Sequence, residues 1–263
     1  MSGPRFPAEL FDHIVDLLQD SRDALKSCCL TSKLWIPSTR KHLFAEVEFN
    51  DAEDVESWKI AFPNPSTSPA VYTKALYVGS FCAVLATDAE EGGWMSSFSQ
   101  VVHLEISTDE HANFNFTLLH GFSPVLKSLN VTFFKFQSSQ IFDLICSFPL
   151  LEDLFVSMRL RNPTDLDNHS FNEQSTITKL STSPPFTGCL ELGPAVGIEP
   201  IASRLLSLPG SLCFRQLSLA LRFEADALII GALVEECCFT LEYLDVFDGG
   251  GPGISFLRLC LRQ

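Results

Sequence analysis

Seven short segments of the chain share one pattern, in which two apolar residues are separated by a single residue. This pattern limits the possible folds more than any other feature of the sequence. Side chains alternate along a strand, so both members of a pair point to the same face. Each segment is therefore predicted to be a short β-strand. The pairs are Leu76/Val78, Leu104/Ile106, Leu129/Val131, Leu154/Val156, Leu190/Leu192, Leu217/Leu219 and Leu244/Val246.

The pairs recur with a nearly constant period. Successive first leucines are 25 to 28 residues apart, except for one step of 36 residues that takes in the polar segment 161–174. Between the pairs lie stretches such as 138–148 and 225–238, whose apolar residues recur three and four positions apart and indicate helices. This spacing of one strand and one helix lies within the period of leucine-rich repeats.

We therefore expect an α/β fold in which residues 71–263 form an irregular leucine-rich-repeat solenoid with a strand and a helix in each repeat. Irregularity is expected because the Asn or Cys that usually occupies the ninth repeat position is absent. In its place stand Asp109, Phe134, Arg159, Arg222 and Gly249. An ordinary α/β fold with a parallel sheet is the alternative that the same alternation allows.

The first fifty residues show a different pattern, which is helical. Four apolar residues follow the spacing of one helix face, and Pro7 suits the first turn of that helix. These residues are Leu10, Ile14, Leu17 and Leu18. Ser32 can cap a third helix, which Pro37 must kink or break. Residues 6–49 are therefore predicted to form compact helices that need a neighbour or a partner to bury enough surface.

Several residues of this helical segment match a known module in order and without gaps. They are Pro7, Glu9-Leu10, Ile14, Leu17-Leu18, Asp23-Ala24-Leu25, Cys28 and Trp35. In these features the segment resembles the F-box, the helical module that docks F-box proteins onto the Skp-type adaptor of a cullin ubiquitin ligase. It departs from the family at Phe6, where Leu is usual, and at Leu30-Thr31-Ser32, where Val-Cys-Arg is preferred.

The resemblance implies three parts along the chain. Residues 1–49 would form a three-helix F-box-like unit, residues 50–70 a Pro-rich linker, and residues 71–263 the repeat solenoid. The linker is expected because the segment 61–70 holds three prolines and three hydroxyl residues, a composition typical of a loop or hinge. By resemblance, the adaptor-binding residues would be Pro7, Leu10, Ile14, Leu17, Leu25 and Trp35.

The resemblance also implies a function without catalysis. The chain would be the substrate-recognition subunit of an SCF-type ubiquitin ligase and would present a protein substrate on its repeats. If the leucine pairs point into the core, the alternating residues line the opposite face of the sheet. The predicted substrate-binding residues on that face are Tyr77, His103, Glu105, Asn130, Phe155, Tyr243 and Asp245.

A second hypothesis gives the N-terminal helices another role. The repeats could form a non-catalytic scaffold or inhibitor, and the helices would then only cap the end of the solenoid, which stacked repeats require. The two hypotheses differ in where they place the stripe Leu10/Ile14/Leu17. A cap buries this stripe against the first repeat, whereas a docking module turns it at least partly outward.

The charge and the aromatic content of the chain exclude some classes of partner. The formal net charge is −14, which argues against binding nucleic acid or an anionic membrane, because both need clustered cations on the protein. Phe occurs 23 times but Tyr and Trp only 3 times each, and this excess is typical of residues that fill a core.

The nine cysteines and six histidines show no spacing typical of a metal site, and none of the motifs of hydrolases or phosphate-binding loops is present. No catalytic residue, metal or cofactor is therefore expected. A signal peptide and a long apolar run are also missing from the sequence. We therefore expect a reduced protein in the cytoplasm or the nucleus, without a membrane partner.

Overall fold

The computed structural model describes residues 7–79, 94–107, 119, 122–133, 138–158, 184–193, 198–208, 210, 212–221, 224–248 and 256–260. These residues form seven α-helices and nine β-strands. The helices are α1 (Ala8–Leu17), α2 (Arg22–Thr31), α3 (Ile36–Leu43), α4 (Ala52–Ala61), α5 (Ser138–Cys146), α6 (Ile198–Leu206) and α7 (Glu224–Glu236). The strands are β1 (Glu46–Phe49), β2 (Ala75–Val78), β3 (His103–Ser107), β4 (Ser128–Phe133), β5 (Asp153–Met158), β6 (Cys189–Leu192), β7 (Gln216–Leu221), β8 (Tyr243–Asp248) and β9 (Phe256–Cys260).

All nine strands belong to one open sheet, and their order in the sheet is their order along the chain. Strands β1 to β8 run parallel, and β9 pairs with β8 in the antiparallel direction. Neighbouring parallel strands need a crossover connection. Helices α4, α5, α6 and α7 lie in four of these crossovers, so the fold is mixed α/β with a mostly parallel sheet.

The leucine pairs stand side by side in this sheet. Strands β2 to β8 each contain one pair, so the prediction of seven strands is confirmed. The first leucines of the pairs are register partners from each strand to the next, and all of them are buried. They are Leu76, Leu104, Leu129, Leu154, Leu190, Leu217 and Leu244. We call the side of the sheet that these residues occupy the leucine face.

Helices α4 to α7 cover the leucine face. Val55, Leu144, Leu205 and Leu233, one from each helix, belong to the same buried cluster as the strand leucines. Full burial of a leucine side chain is worth about 1.5–3 kcal/mol relative to its exposed state. The cluster is therefore one continuous core along the sheet rather than a set of separate cores.

Phenylalanines add a second buried layer just ahead of the strands. Phe98, Phe148, Phe186 and Phe214 each lie a few residues before a strand and are almost completely buried. The rings of Phe186 and Phe214 are 5.2 Å apart between centroids, which shows that successive layers touch. This packing agrees with the expectation that the phenylalanine excess fills a core.

A repeated hydrogen-bond pattern joins the starts of the strands. The carbonyl oxygen of the residue before a strand accepts two N–H groups. One belongs to the residue just before the next strand, and the other belongs to the first residue of that strand. The carbonyl of Lys74 accepts from Val102 and His103 at 2.8 and 3.0 Å. The carbonyls of Ala45, Val102, Lys127, Gly188 and Arg215 accept in the same way. The chain therefore repeats its backbone geometry as well as its leucines.

The expectation that residues 6–49 are entirely helical is wrong at its C-terminal end. Residues 46–49 form strand β1, which extends the sheet beside β2. Val47 and Phe49 are buried and alternate with exposed Glu46 and Glu48, which is the period of a strand. The residues that replace Asn or Cys at the ninth repeat position lie outside the described residues.

The segment 50–70, predicted to be a Pro-rich linker, contains regular structure. Helix α4 begins after Asp51, whose carboxylate accepts the Asp54 backbone N–H at 3.0 Å as an N-cap. Two 3-10 turns, Pro65–Thr67 and Pro69–Tyr72, follow it. Proline at the start of each turn fits because its φ angle is already helical and its missing N–H would have no helical partner there.

Two glycine substitutions are expected to change stability in opposite directions. A Cβ at Gly188 would lie 1.9 Å from Oδ1 of Asp153, the oxygen that accepts the Cys189 N–H at 2.7 Å. Gly188→Ala should displace this carboxylate and lower the free energy of unfolding by about 1–3 kcal/mol. At Gly231 in α7 an added methyl group would have no neighbouring atom within 4 Å, so Gly231→Ala is the matched control.

Helix propensity should make Gly231→Ala stabilising by about 0.5–1 kcal/mol. Urea denaturation of the two variants and the wild type measures both changes. Equal stability of Gly188→Ala and the wild type would show that the Asp153 contact to the Cys189 amide is not made in solution.

Candidate functional site

The N-terminal helices α1 to α3 have a small core of their own. Val15 and Leu25 are buried between the helices, and the Phe11 ring lies edge-on to the Trp35 ring with centroids 5.1 Å apart. Ser32 accepts the Leu34 backbone N–H at the start of a 3-10 turn, Lys33–Trp35, which leads directly into α3. Pro37 lies in the first turn of α3, so the predicted break of the third helix falls just before this proline.

Polar contacts fix α3 against the other two helices. The Asp16 carboxylate accepts a hydrogen bond from Nε2 of His42 at 2.8 Å, and the Asp12 carboxylate accepts one from the Ser38 hydroxyl. The Cys29 sulfur lies 2.8 Å from the hydroxyl oxygen of Thr39. These contacts hold the three helices together as one unit.

The outer surface of this unit carries five large apolar side chains among its charged and polar residues. Leu10, Ile14 and Leu17 of α1 are 47%, 42% and 73% exposed, although a fully internal helix stripe would be buried. Leu30 at the end of α2 and Leu34 in the 3-10 turn are 89% and 70% exposed. We call these five residues the N-terminal apolar face. Large apolar side chains grouped on a surface typically mark an interaction site.

The predicted adaptor-binding residues divide between the two surfaces of the unit. Pro7, Leu10, Ile14 and Leu17 are exposed. Leu25 is buried and Trp35 is half-buried against Phe11, so these two can contribute only by holding the helices together or through a ring edge. Leu30 and Leu34 were not predicted as site residues. Leu30 follows Leu25 by five positions and so lies about 140° around α2 from it, but only the structure shows that Leu25 is on the internal side.

The second candidate surface is the side of the sheet opposite the leucine face, which we call the open face. Residues between the two members of each leucine pair point to it, and they form one row across the strands through the register. The row runs Glu48, Tyr77, Glu105, Asn130, Phe155, Glu191, Ser218 and Asp245, and the register position after Asp245 is held by Arg258 of β9. We call these residues the central row.

All seven predicted substrate-binding residues lie on the open face. Five of them stand in the central row, while His103 and Tyr243 lie in the neighbouring row toward the strand starts. The Tyr77 and His103 rings are 5.7 Å apart, and Nδ1 of His103 lies 3.0 Å from the Ser128 hydroxyl oxygen. The structure therefore brings the predicted residues together as part of one surface.

The prediction missed part of the negative charge on this face. Glu48 and Glu191 belong to the central row, and Glu46 and Asp153 belong to the neighbouring one. Glu191 could have been found, because it stands between Leu190 and Leu192 just as Glu105 stands between its own pair. Glu46 and Glu48 were missed because β1 was predicted to be helical.

The pKa values of three groups on the open face are raised by partial burial, and two of them are raised further by nearby carboxylates. Partial burial raises the pKa of Tyr77, and the nearby carboxylates Glu46, Glu105 and Glu48 raise it further. Burial also raises the pKa of the Cys189 thiol to about 12, with added contributions from the surrounding acids Glu191, Asp153 and Asp245. The pKa of Glu191 is raised by burial alone.

A cavity of about 560 Å³ lies at the β1 edge of the sheet. Its wall combines acidic and aromatic residues from β1, β2 and α4, and Arg22 of α2 borders it as well. The aromatic wall residues Phe44, Trp58 and Phe62 pack edge-to-face or tilted against one another. Residues of the N-terminal helices and residues of the open face both line this cavity, so the two surfaces meet there.

The rest of the described chain offers few groups suited to chemistry. Burial raises the pKa of the Cys146 thiol to about 12 and that of Cys237 to about 11, so both thiols stay protonated at neutral pH and are poor nucleophiles. Among the described residues, no three His, Cys, Asp or Glu side chains come close enough to hold a metal ion. No helix within the described ranges has both the length and the apolar character needed to cross a membrane.

Comparison of the chain with models of known protein families, with curated proteins and with solved structures finds no match.

Proposed function

We propose that this chain is the substrate-recognition subunit of an SCF-type ubiquitin ligase. The N-terminal apolar face docks the Skp-type adaptor, and the open face of the sheet binds a protein substrate. The observation that carries the proposal is the outward position of Leu10, Ile14 and Leu17 next to the buried Val15. One helix thus keeps an internal face for its own unit and leaves a second apolar face for a partner.

The burial energy available from this face is of the same order as the free energy of specific binding. Each leucine or isoleucine that a partner buries fully contributes about 1.5–3 kcal/mol, and the face holds five such residues. A dissociation constant of 1 μM corresponds to about −8 kcal/mol. Because the five side chains are already partly buried in the free chain, their further burial is worth about 5–10 kcal/mol before the entropy lost on association is subtracted, so additional polar contacts with the partner are needed for tight binding.

The proposal assigns the sheet to a leucine-rich-repeat solenoid. Three observations support it: neighbouring strands are consecutive in the chain, their leucines are in register, and the carbonyl before a strand accepts the next repeat's N–H pair. In such a solenoid each repeat contacts mainly its neighbours and presents one strand to an extended binding surface.

The proposed mechanism is tethering. The adaptor holds the N-terminal helices, and the substrate lies on the open face, so a substrate lysine is kept near the conjugating enzyme of the ligase. Tethering raises the effective concentration of that lysine without any reacting group on this chain.

The cap hypothesis is the second candidate, and one observation favours it. Helix α3 lies against the 3-10 turn Pro69–Tyr72, and only Phe44 and Ala45 separate it from β1. The helices are thus joined closely to the end of the sheet. The exposed stripe opposes this hypothesis, because a cap would bury Leu10, Ile14 and Leu17 against the first repeat.

Isothermal titration of the purified chain with the Skp-type adaptor tests the proposal. We expect one adaptor per chain and a dissociation constant of about 1 μM or lower. Absence of binding by a chain that circular dichroism shows to be folded would contradict the proposal and favour the scaffold with capped repeats.

A further inference from the structure

The open face of the sheet has no covering layer in the described part of the chain. Helices α4 to α7 all pack on the leucine face. The central-row residues Tyr77, Glu105, Asn130 and Phe155 are each partly exposed, whereas the leucines that alternate with them are buried. Parallel sheets usually carry helices on both faces, so a face on which no helix of the described residues packs suits a partner.

This face carries one sign of charge over most of its width. Glu48, Glu105 and Glu191 lie in the central row, and Glu46 and Asp153 lie in the neighbouring row. Within the described residues, no Lys or Arg side chain makes an ion pair with the three central-row glutamates. The first cationic residue of the row, Arg258, stands only at its β9 end.

Aromatic side chains alternate with these carboxylates. Tyr77 stands between Glu48 and Glu105 in the register, and Phe155 precedes Glu191. An aromatic face attracts the head group of Lys or Arg, and it also packs against the aliphatic stem of either side chain. Carboxylates beside aromatic rings therefore suit long cationic side chains better than small ions.

The spacing of the carboxylates limits the shape of the ligand. Neighbouring strands are about 4.8 Å apart, so Glu48 and Glu105 are separated by about 10 Å, and Glu105 and Glu191 by about 14 Å. An extended peptide advances about 3.3 Å per residue. A peptide that crosses the strands would thus bring cations level with these glutamates if they were three and then four residues apart. Side chains three residues apart leave opposite sides of an extended chain, so one of these cations reaches the sheet through the long, flexible stem of Lys or Arg.

We propose that the open face binds an extended segment of a partner protein in which Lys or Arg residues recur every three to four positions. The inference rests on the proposed function, which assigns the substrate to this face, and it specifies the class of substrate. The charge of the chain, −14, would also speed the approach of such a segment at low ionic strength.

Fluorescence anisotropy with a labelled Ser/Gly peptide tests the inference. The peptide carries three Arg residues spaced three and four positions apart, and two comparison peptides carry three adjacent Arg residues or Glu in place of Arg. We expect the spaced peptide to bind most tightly and the Glu peptide not to bind. Equal binding of the spaced and adjacent Arg peptides, or no binding of either, would overturn the inference.

Matched variants locate the binding surface. Glu105→Gln/Glu191→Gln should weaken binding of the spaced peptide by about tenfold, because two ion pairs are lost. Glu235→Gln/Glu236→Gln removes the same charge from the exposed surface of α7 and should change binding by less than about twofold. Equal losses of peptide binding in the two double variants would show that only the net charge of the chain matters, and would overturn the assignment of the peptide to the open face.

The same variants separate this inference from the proposed function. Glu105→Gln/Glu191→Gln should bind the Skp-type adaptor as the wild type does, because both glutamates lie in the sheet and not on the N-terminal helices. Peptide binding without adaptor binding would overturn the ligase proposal alone. Adaptor binding without peptide binding would overturn the inference alone.

Discussion

Leu17→Asp is expected to weaken binding of the Skp-type adaptor by at least about 100-fold, while the free energy of unfolding stays within about 1 kcal/mol of the wild type. Leu17 is 73% exposed in the free chain, so a carboxylate there remains hydrated until a partner covers it. Docking would then bury this charge without a partner of opposite sign and would lose the apolar contact as well. Isothermal titration measures the first effect, and urea denaturation measures the second.

Val15→Asp is the matched control, because it introduces the same carboxylate two residues away on the buried side of α1. Val15 is completely buried, so the charge should disrupt the packing of α1 to α3 even without a partner. Circular dichroism and thermal unfolding should show this loss. If Leu17→Asp destabilises the chain as strongly as Val15→Asp, the stripe is internal and the cap hypothesis is the better account.

Leu154→Ala is expected to lower the free energy of unfolding by about 2–5 kcal/mol. Leu154 is completely buried at the centre of the sheet, and it lies in register with Leu129 on one side and Leu190 on the other. Removal of its side chain leaves a cavity that the flanking strands cannot close without breaking their own register. Urea denaturation measures the loss.

Phe155→Ala is the control for this change, since the neighbouring residue points to the open face. Its ring is only partly buried, so truncation should cost less than about 1.5 kcal/mol in unfolding free energy although more atoms are removed. A larger loss of unfolding free energy for Phe155→Ala than for Leu154→Ala would mean that Phe155 lies on the buried face of the sheet and Leu154 on the exposed one.

The strands could be predicted because their signal is local and repeated. A pair such as Leu129/Val131 sets a two-residue period by itself, and the same pair 25 residues later in β5 gives the period of the repeat. Burial of both pairs then follows from the pleat, which points alternate side chains to one face. The register between β4 and β5 agrees with this period residue by residue.

Strand β1 could also have been predicted, and it was missed because a helical pattern precedes it. Val47 and Phe49 form an apolar pair like the others, and 29 residues separate Val47 from Leu76. The four-residue strand follows α3 after only two residues, so helix-like spacing and strand-like alternation overlap there. Helix α4 was missed for a different reason, because the prolines that follow it favoured a linker.

The outward face of the N-terminal unit could not be predicted from sequence alone. Leu10, Ile14 and Val15 are all apolar and all lie within two turns of α1, so hydrophobicity does not separate the inner face from the outer one. The separation depends on where α2 and α3 pack. The Phe11–Trp35 contact and the hydrogen bond from His42 to Asp16 fix those positions in three dimensions.

Hydrogen exchange followed by mass spectrometry, with and without a saturating amount of the Skp-type adaptor, locates the adaptor-binding surface on the chain. We expect slower amide exchange in α1 and α2, which carry most of the N-terminal apolar face, and unchanged exchange in strands β2 to β8. Unchanged exchange in the N-terminal helices, or protection on the sheet instead, would contradict the claim that the adaptor docks on this face.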